Sequence, residues 1–118
     1  MNQHEQLNYV EFPACNLHAT KRFFTAVFKW SFTDYGDEYS AFTGAGLAGG
    51  FFASKLASET VNGAALLVFY SADIHKTLAK IEQHNGVVTK PIFEFPGGCR
   101  FHFTEPSGNE FAVWSESY

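Results

Sequence analysis

The sequence contains an internal repeat, and a repeat limits the possible folds more than any single motif does. The segment VEFPACNLHATKRFF, residues 10–24, aligns with LVFYSADIHKTLAKI, residues 67–81. The alignment matches five pairs of related residues: Phe12 with Phe69, Asn16 with Asp73, Leu17 with Ile74, His18 with His75 and Thr20 with Thr77. The chain is therefore predicted to build one structural unit twice.

Each copy is predicted to be a strand followed by a helix. Asn16 and Asp73 stand where a helix would begin, and their side-chain oxygens are well suited to accept an unpaired backbone N–H there. The residues that follow place apolar side chains on one face at a spacing of 3.6. In the second copy, the segment HNG predicts that Gly86 ends the helix in a left-handed conformation.

After each helix the apolar period changes to two, which is typical of strands. The strand-like segments are WSFTDY, YSAFTG and AGGFFAS in the first half, and GVVTKPIFEF, GCRFHFTE and NEFAVWSES in the second. We interpret the paired glycines of GAGLAGG as a tight bend. The pattern predicts an α+β fold of two βαβββ modules, about residues 7–55 and 64–116, within a single domain of residues 1–118.

Composition excludes several classes of partner. The formal net charge is -4 and no block of Lys or Arg occurs, which argues against nucleic acid and anionic membranes. No apolar run reaches the length of a membrane span and no signal peptide is recognisable, so we expect a cytoplasmic protein. Cys15 and Cys99 are expected to be reduced. The 14 Phe residues exceed the needs of a simple core, so some are expected to line a cavity or a subunit contact.

Two motifs in this βαβββ pair resemble those of the vicinal oxygen chelate superfamily, which includes glyoxalase I, extradiol dioxygenases, fosfomycin resistance enzymes and bleomycin-binding proteins. FFTAVFKW is similar to the FYxxxFGW of many small members, and EPSGNEF is similar to their DPDGN segment. The resemblance implies a half-open barrel of two βαβββ modules and a homodimer. It fixes the expected fold but not the chemistry.

In metal-dependent members of that superfamily, His, Gln or Glu ligands lie on the first and last strands of each module. The resemblance places the corresponding positions at Tyr9, Leu66, Phe51 and Ala112, within about one residue. None is a customary ligand of a divalent metal, so we expect no metal and no other cofactor. A displaced metal site formed by Glu11, Glu110 and His102 stays open as an alternative.

Strand alternation divides the side chains between two faces. We expect one face to lie beneath the helices, with Val10, Phe12, Leu67, Phe69, Phe101, Phe103, Phe111 and Val113. The opposite face is expected to line a ligand cavity, with Tyr9, Glu11, Leu66, Val68, Tyr70, Arg100, His102, Thr104, Ala112 and Trp114.

From this second set we select Tyr9, Glu11, Arg100, His102 and Trp114 as ligand-binding candidates, because sparse polar groups between aromatic walls are typical of small-molecule pockets. An ion pair for Arg100, a structural hydrogen bond for His102 and core or dimer packing for Trp114 are the alternatives. No catalytic residue is assigned, although Glu11 or His102 would be the acid or base of an enzyme. The leading hypothesis is a metal-independent protein that binds a small organic ligand, anionic or aromatic, in the sheet cavity. The alternatives are a metal-dependent lyase, glyoxalase or dioxygenase with a displaced metal site, and a structural dimer with a filled pocket.

Overall fold

A computed structural model describes residues 2–118, and Met1 lies outside the described residues. The first module contains strands β1 (Tyr9–Ala14), β2 (Ser31–Asp34), β3 (Tyr39–Thr43) and β4 (Ala48–Ala53), with helix α1 (Leu17–Phe28). A short 3₁₀ helix (Thr60–Asn62) lies between the modules. The second module contains β5 (Leu67–Tyr70), β6 (Val87–Phe95), β7 (Gly98–Thr104) and β8 (Glu110–Ser115), with helix α2 (Ile74–Gln83).

Each module forms its own four-stranded sheet, and both sheets have the same topology. The first sheet has the order β1-β4-β3-β2, and the second has the order β5-β8-β7-β6. The strand before each helix pairs in parallel with the last strand of its module, and the other neighbours are antiparallel. The predicted α+β fold of two βαβββ modules is confirmed, and the two sheets do not close into a complete barrel.

Both helices begin as the sequence predicts, because the Asn16 side chain accepts the Ala19 N–H at 3.0 Å and the Asp73 side chain accepts the Lys76 N–H at 3.3 Å. The prediction that Gly86 takes the left-handed conformation after α2 is wrong by one residue. Asn85, with φ of 73°, takes the left-handed conformation, and Gly86 follows it. Gly86 is small for another reason: an added Cβ would collide with the side chain of Ile81.

The paired glycines Gly49 and Gly50 do not form a bend, which corrects the interpretation of GAGLAGG. They lie inside β4, where an added Cβ would overlap the Val10 carbonyl at Gly49 and the Tyr39 phenol at Gly50. The turn before β4 uses Gly44 and Gly46 instead, both with positive φ. Close approach of neighbouring groups, rather than a turn, therefore requires glycine at both strand positions.

The two sheets share one aromatic core around α1. Phe24 stacks on Trp30 with ring centroids 4.2 Å apart and also contacts Phe51 of the first sheet and Phe111 of the second. Phe12 and Phe111 meet directly across the modules at 5.1 Å. All the residues predicted to lie beneath the helices belong to this core or pack against it. Among residues 2–118, no helix combines the length and apolar character needed to cross a membrane.

A buried polar cluster joins the two modules at the EPSGN turn between β7 and β8. The carboxyl group of Glu105, 2% exposed, accepts hydrogen bonds from the Thr20 hydroxyl at 2.6 Å and the Asn109 amide at 2.6 Å. Asn109 also donates to the Pro13 carbonyl at 2.7 Å and accepts from the Ser58 N–H at 2.8 Å. Burial raises the pKa of Glu105, although the hydrogen bonds oppose that effect.

The raised pKa of Glu105 predicts a pH-dependent stability. The folded chain holds this proton more tightly than the unfolded chain, so the stabilisation is complete below the unfolded pKa and is lost as pH rises through the folded pKa. Glu105→Gln cannot ionise, so its free energy of unfolding should decline less between pH 4 and pH 8 than that of the wild type. Urea unfolding across this range measures both slopes. The exposed Glu82→Gln should keep the wild-type slope, and equal slopes for wild type and Glu105→Gln would contradict the assignment.

The sheet faces turned away from the helices expose large apolar side chains. Tyr9 is 45% and Phe52 37% exposed on the first sheet, while Val68 is 44% and Tyr70 53% exposed on the second. Exposed apolar groups collected on two open sheet faces are typical of a surface that another protein chain covers. We propose that a second copy of this chain covers them in a symmetric homodimer.

The dimer is tested by Val68→Lys, which places a charge in the proposed contact and should weaken association at least tenfold. Val61→Lys is the matched control, because Val61 is 85% exposed in the 3₁₀ helix between the modules and should not affect association. Light scattering at micromolar concentration should give twice the chain mass of 13.2 kDa for wild type and control. A wild-type mass of one chain at every concentration would reject the proposal.

Candidate functional site

The face of the second sheet that points away from the helices carries three of the five predicted site residues. We call it the second-sheet face; it is formed by Lys90, Phe93, Arg100, His102, Glu110, Ala112 and Trp114. Strand pairing fixes its layout, because Arg100 lies opposite Trp114 and His102 lies opposite Ala112. On the other side of β7, Lys90 pairs with His102 and Phe93 pairs with Arg100. Phe101 and Phe103, at the alternate positions of β7, are fully buried in the core, so Arg100 and His102 lie on the face turned away from the helices, as strand alternation predicted.

His102 is held by a carboxylate. Its Nδ1 lies 3.3 Å from Glu110 Oε2, and the other carboxylate oxygen accepts from the Thr60 backbone N–H at 2.8 Å and the Thr60 hydroxyl at 2.9 Å. Burial acts to raise the pKa of Glu110, but these hydrogen bonds outweigh it, so that pKa lies below its ordinary value. An ionised carboxylate thus orients the imidazole, and a neutral imidazole held in this way can accept a proton from a bound molecule.

Two cations of the second-sheet face lie against one aromatic ring. The Arg100 guanidinium carbon is 5.5 Å from the Phe93 ring centroid, and Lys90 Nζ is 4.7 Å from the same centroid. Within residues 2–118, neither cation has an acidic partner within 4.0 Å. The ion-pair alternative for Arg100 is therefore not what this structure shows.

Two buried polar atoms of this face have no hydrogen-bond partner among residues 2–118: Arg100 Nε and His102 Nε2. His102 is 8% exposed, so solvent reaches it poorly. Buried polar atoms are normally paired with protein, water or a ligand. The geometry thus leaves one unused nitrogen on each of two neighbouring side chains of β7.

Aromatic side chains border these polar groups. Trp114 makes an edge contact with Tyr70 at 5.1 Å and a tilted contact with Phe95 at 6.4 Å. Phe93 lies 6.0 Å from the His102 ring. Tyr70 donates from its hydroxyl to Glu116 at 2.9 Å, and this hydrogen bond raises the pKa of Tyr70. The second-sheet face therefore offers flat apolar walls beside its nitrogen donors and acceptors.

The other two predicted residues lie on the corresponding face of the first sheet. The Tyr9 and Tyr39 hydroxyls are 2.6 Å apart, and Tyr39 donates to Glu11 Oε2 at 2.8 Å. Burial, followed by the hydrogen bonds to Tyr9 and Glu11, raises the pKa of Tyr39. Tyr39 was not selected as a site residue from the sequence. The sequence feature that could have indicated it is Gly50, which must be small because the Tyr39 ring lies above it.

The five predicted residues thus form two separate groups. No hydrogen bond or ring contact in the described chain joins Tyr9 and Glu11 to Arg100, His102 or Trp114. Strand alternation assigned the face of each residue, but it carried no information on the distance between the two sheets.

The positions that the resemblance assigned to metal ligands do not supply a ligand set. Phe51 is the wrong residue, because it is fully buried in the core. Glu11 of β1 pairs with Gly50, and its repeat equivalent Val68 of β5 pairs with Ala112. Gly50 is therefore the counterpart of Ala112. The alternative displaced site is only partly assembled, since Glu110 meets His102 but Glu11 binds Tyr39. Residues 2–118 contain no cluster of three or more His, Cys, Asp or Glu suited to a metal ion.

A cavity of about 380 Å³ lies elsewhere, at the seam between the modules, and the sequence did not predict its position. Its walls are mainly apolar and include four of the phenylalanines, Phe12, Phe42, Phe69 and Phe111. None of the five predicted site residues lines it. Val68 and Tyr70 of β5 also line the seam cavity, but none of the residues that form the second-sheet face does, so the two are separate.

Solved structures share this fold. A glyoxalase/bleomycin resistance protein/dioxygenase family enzyme from Burkholderia phytofirmans PsJN matches with a TM-score of 0.77 and 15% identity, covering 94% of this chain and 98% of that one. The fosfomycin resistance protein FosX from Listeria monocytogenes matches with a TM-score of 0.78 and 14% identity, covering 96% and 94%. Lactoylglutathione lyase from Agrobacterium tumefaciens matches with a TM-score of 0.70 and 17% identity, covering 97% and 96%. Identities this low establish the fold alone.

No functionally curated protein matches the sequence significantly. A family model does match, over residues 6–113, and its family is described as the Glyoxalase/Bleomycin resistance protein/Dioxygenase superfamily. The match spans both βαβββ modules and includes both motifs that suggested the resemblance. The chain therefore belongs to the Glyoxalase/Bleomycin resistance protein/Dioxygenase superfamily.

Proposed function

We propose that this protein binds a small, partly aromatic organic anion on the second-sheet face, without a metal ion. Arg100 holds the anionic group, Trp114 covers the flat part of the ligand, and His102 makes a polar contact beside Arg100. The observation that carries the proposal is the pair of buried, unpartnered nitrogens, Arg100 Nε and His102 Nε2, on one sheet face.

Charge supports an anionic ligand. Arg100 and Lys90 both border Phe93, and neither has an acidic partner among residues 2–118. A guanidinium can bind a carboxylate through two parallel hydrogen bonds, and nearby aromatic rings exclude the water that would weaken them. A small organic acid would satisfy the unused guanidinium hydrogens.

Tyr9 and Glu11 enter this proposal through the homodimer. They lie on the exposed face of the first sheet with Phe52, and Val68 and Tyr70 are exposed on the corresponding face of the second sheet. A partner chain that covers these faces would enclose a ligand and exclude solvent from it. In that arrangement the Tyr9 and Tyr39 hydroxyls contribute hydrogen-bonding groups to the rim of the site.

The proposal predicts that the purified protein carries no stoichiometric divalent metal, because Tyr9, Leu66, Gly50 and Ala112 occupy the positions that correspond to the metal ligands of metal-dependent members, and none of them is a metal ligand. Elemental analysis after dialysis should give well under one Zn, Ni, Fe or Mn per chain. One metal per chain that disappears in Glu110→Gln would instead revive the displaced metal site and the metalloenzyme alternative.

Arg100 is tested with benzoate and its neutral analogue benzamide in a thermal-shift experiment. Ligand binding stabilises only the native state, so saturating benzoate should raise the wild-type melting temperature by a few degrees and benzamide should not. In Arg100→Met, which keeps much of the side-chain volume, the benzoate shift should disappear.

Arg22→Met, on the exposed surface of α1, is the matched control and should keep the full benzoate shift. Circular dichroism of the unliganded variants establishes that both fold. Equal stabilisation of wild type and Arg100→Met by benzoate would show that Arg100 is structural and would overturn the proposed site.

A further inference from the structure

We infer that the second-sheet face selects a 2-hydroxy acid, with Arg100 holding the carboxylate and His102 Nε2 accepting the hydrogen of the adjacent hydroxyl group. This inference rests on the proposed function and deepens it by naming the class of ligand. It makes His102 a specificity-determining residue.

The first step is the direction of the hydrogen bond between His102 and Glu110. Glu110 Oε1 accepts two hydrogen bonds from Thr60, and Oε2 faces His102 Nδ1 at 3.3 Å. A carboxylate offers only acceptors, so Nδ1 must carry the hydrogen that joins the two side chains. In the neutral imidazole, Nε2 then presents a lone pair, and that atom can only accept.

The second step is the burial of that lone pair. His102 is 8% exposed, and Nε2 has no partner among residues 2–118. A buried acceptor without a donor costs free energy, whereas a donor of the right shape removes this cost. A ligand that brings a donor to Nε2 should therefore bind more tightly than a simple carboxylate or a 2-oxo acid, neither of which has one.

The third step is the separation of the two groups. Arg100 and His102 are alternate residues of β7, so their side chains leave the same face of the strand about 6.8 Å apart. Both side chains approach Phe93, the guanidinium carbon at 5.5 Å and the imidazole at 6.0 Å from its ring centroid. Two side chains that leave one face of a strand and lie near one ring can contact the same small molecule, one through its anion and the other through its donor.

Two cations beside His102 also favour a ligand that combines a carboxylate with a hydrogen-bond donor. Lys90 pairs with His102 across the strands, and Arg100 lies two residues away on β7. These cations attract the carboxylate but offer no lone pair to the ligand hydroxyl. The Glu110 carboxylate already accepts from Thr60 and contacts His102, whereas His102 Nε2 is an acceptor with no partner among residues 2–118. A ligand with a hydroxyl beside its carboxylate fits this arrangement, because the carboxylate meets the cations and the hydroxyl donates to His102 Nε2.

The experiment compares mandelate with phenylacetate, which differ only by the 2-hydroxyl group, using isothermal titration calorimetry at pH 8. The wild type should bind mandelate about tenfold more tightly, the effect of one satisfied hydrogen bond to a buried acceptor. Benzoylformate, whose 2-oxo group only accepts, should bind no better than phenylacetate.

His102→Phe should reduce the ratio of the mandelate and phenylacetate affinities to about one while phenylacetate still binds. Glu110→Gln is the second variant, because a glutamine amide can either donate or accept at Nδ1 and no longer fixes the tautomer. Its ratio of mandelate to phenylacetate affinity should fall between that of the wild type and that of His102→Phe. His84→Phe is the matched control at the exposed end of α2 and should keep the wild-type ratio.

The outcomes separate the two proposals. Equal affinities for mandelate and phenylacetate in the wild type, with binding that needs Arg100, would overturn the hydroxyl inference and leave the anion site intact. A wild-type preference that survives in both His102→Phe and Glu110→Gln would also overturn it. Failure of every acid to bind the wild type would reject the proposed function and the inference together.

Discussion

The buried carboxyl group of Glu105 is the interaction on which the rest of the structure depends. It lies in the turn between β7 and β8 and accepts hydrogen bonds from Thr20 of α1 and from Asn109, the residue directly before β8. Asn109 in turn binds backbone groups of Pro13 and Ser58. Because each of these buried groups would cost free energy if left unpaired, the network fixes how the first module meets the second.

That fixed turn sets the register of β8, and the register arranges the site. Thr104 pairs with Glu110, so His102 falls opposite Ala112 and Arg100 opposite Trp114. Glu110 stands at the entry to β8, where it reaches both His102 and the Thr60 segment between the modules. A one-residue slip of β8 would turn Glu110, Ala112 and Trp114 to the helix side and separate them from Arg100 and His102. The candidate site is thus a consequence of the same turn that joins the modules.

The strands of the second sheet pack into the aromatic core on one side and form the second-sheet face on the other. On β7, Phe101 and Phe103 pack in the core with no exposure, while Arg100 and His102 occupy the alternate positions. Packing against Phe23, Phe69 and Phe111 keeps β7 in place. A rigid strand can therefore hold unpartnered nitrogens ready for a ligand, since its stability comes from the opposite face.

The sequence by itself determined the repeat, the helix starts at Asn16 and Asp73, the two βαβββ modules and the face on which each strand residue lies. These features depend on local chemistry and on periods of two and 3.6 residues, which a sequence displays directly. Family motifs supplied the remaining fold assignment. Where two segments approach each other closely, sequence reasoning was weaker: it read Gly49 and Gly50 as a bend and gave Gly86 the conformation that Asn85 adopts.

Only the tertiary structure decided which site residues meet. It paired His102 with Glu110, set Arg100 beside Phe93, placed Tyr39 between Tyr9 and Glu11, and left Tyr9 and Glu11 apart from the other three predicted residues. It also showed that Gly50, not Phe51, corresponds to Ala112. These contacts join residues far apart in the chain, and their distances depend on how two sheets pack around one helix, which no local period encodes.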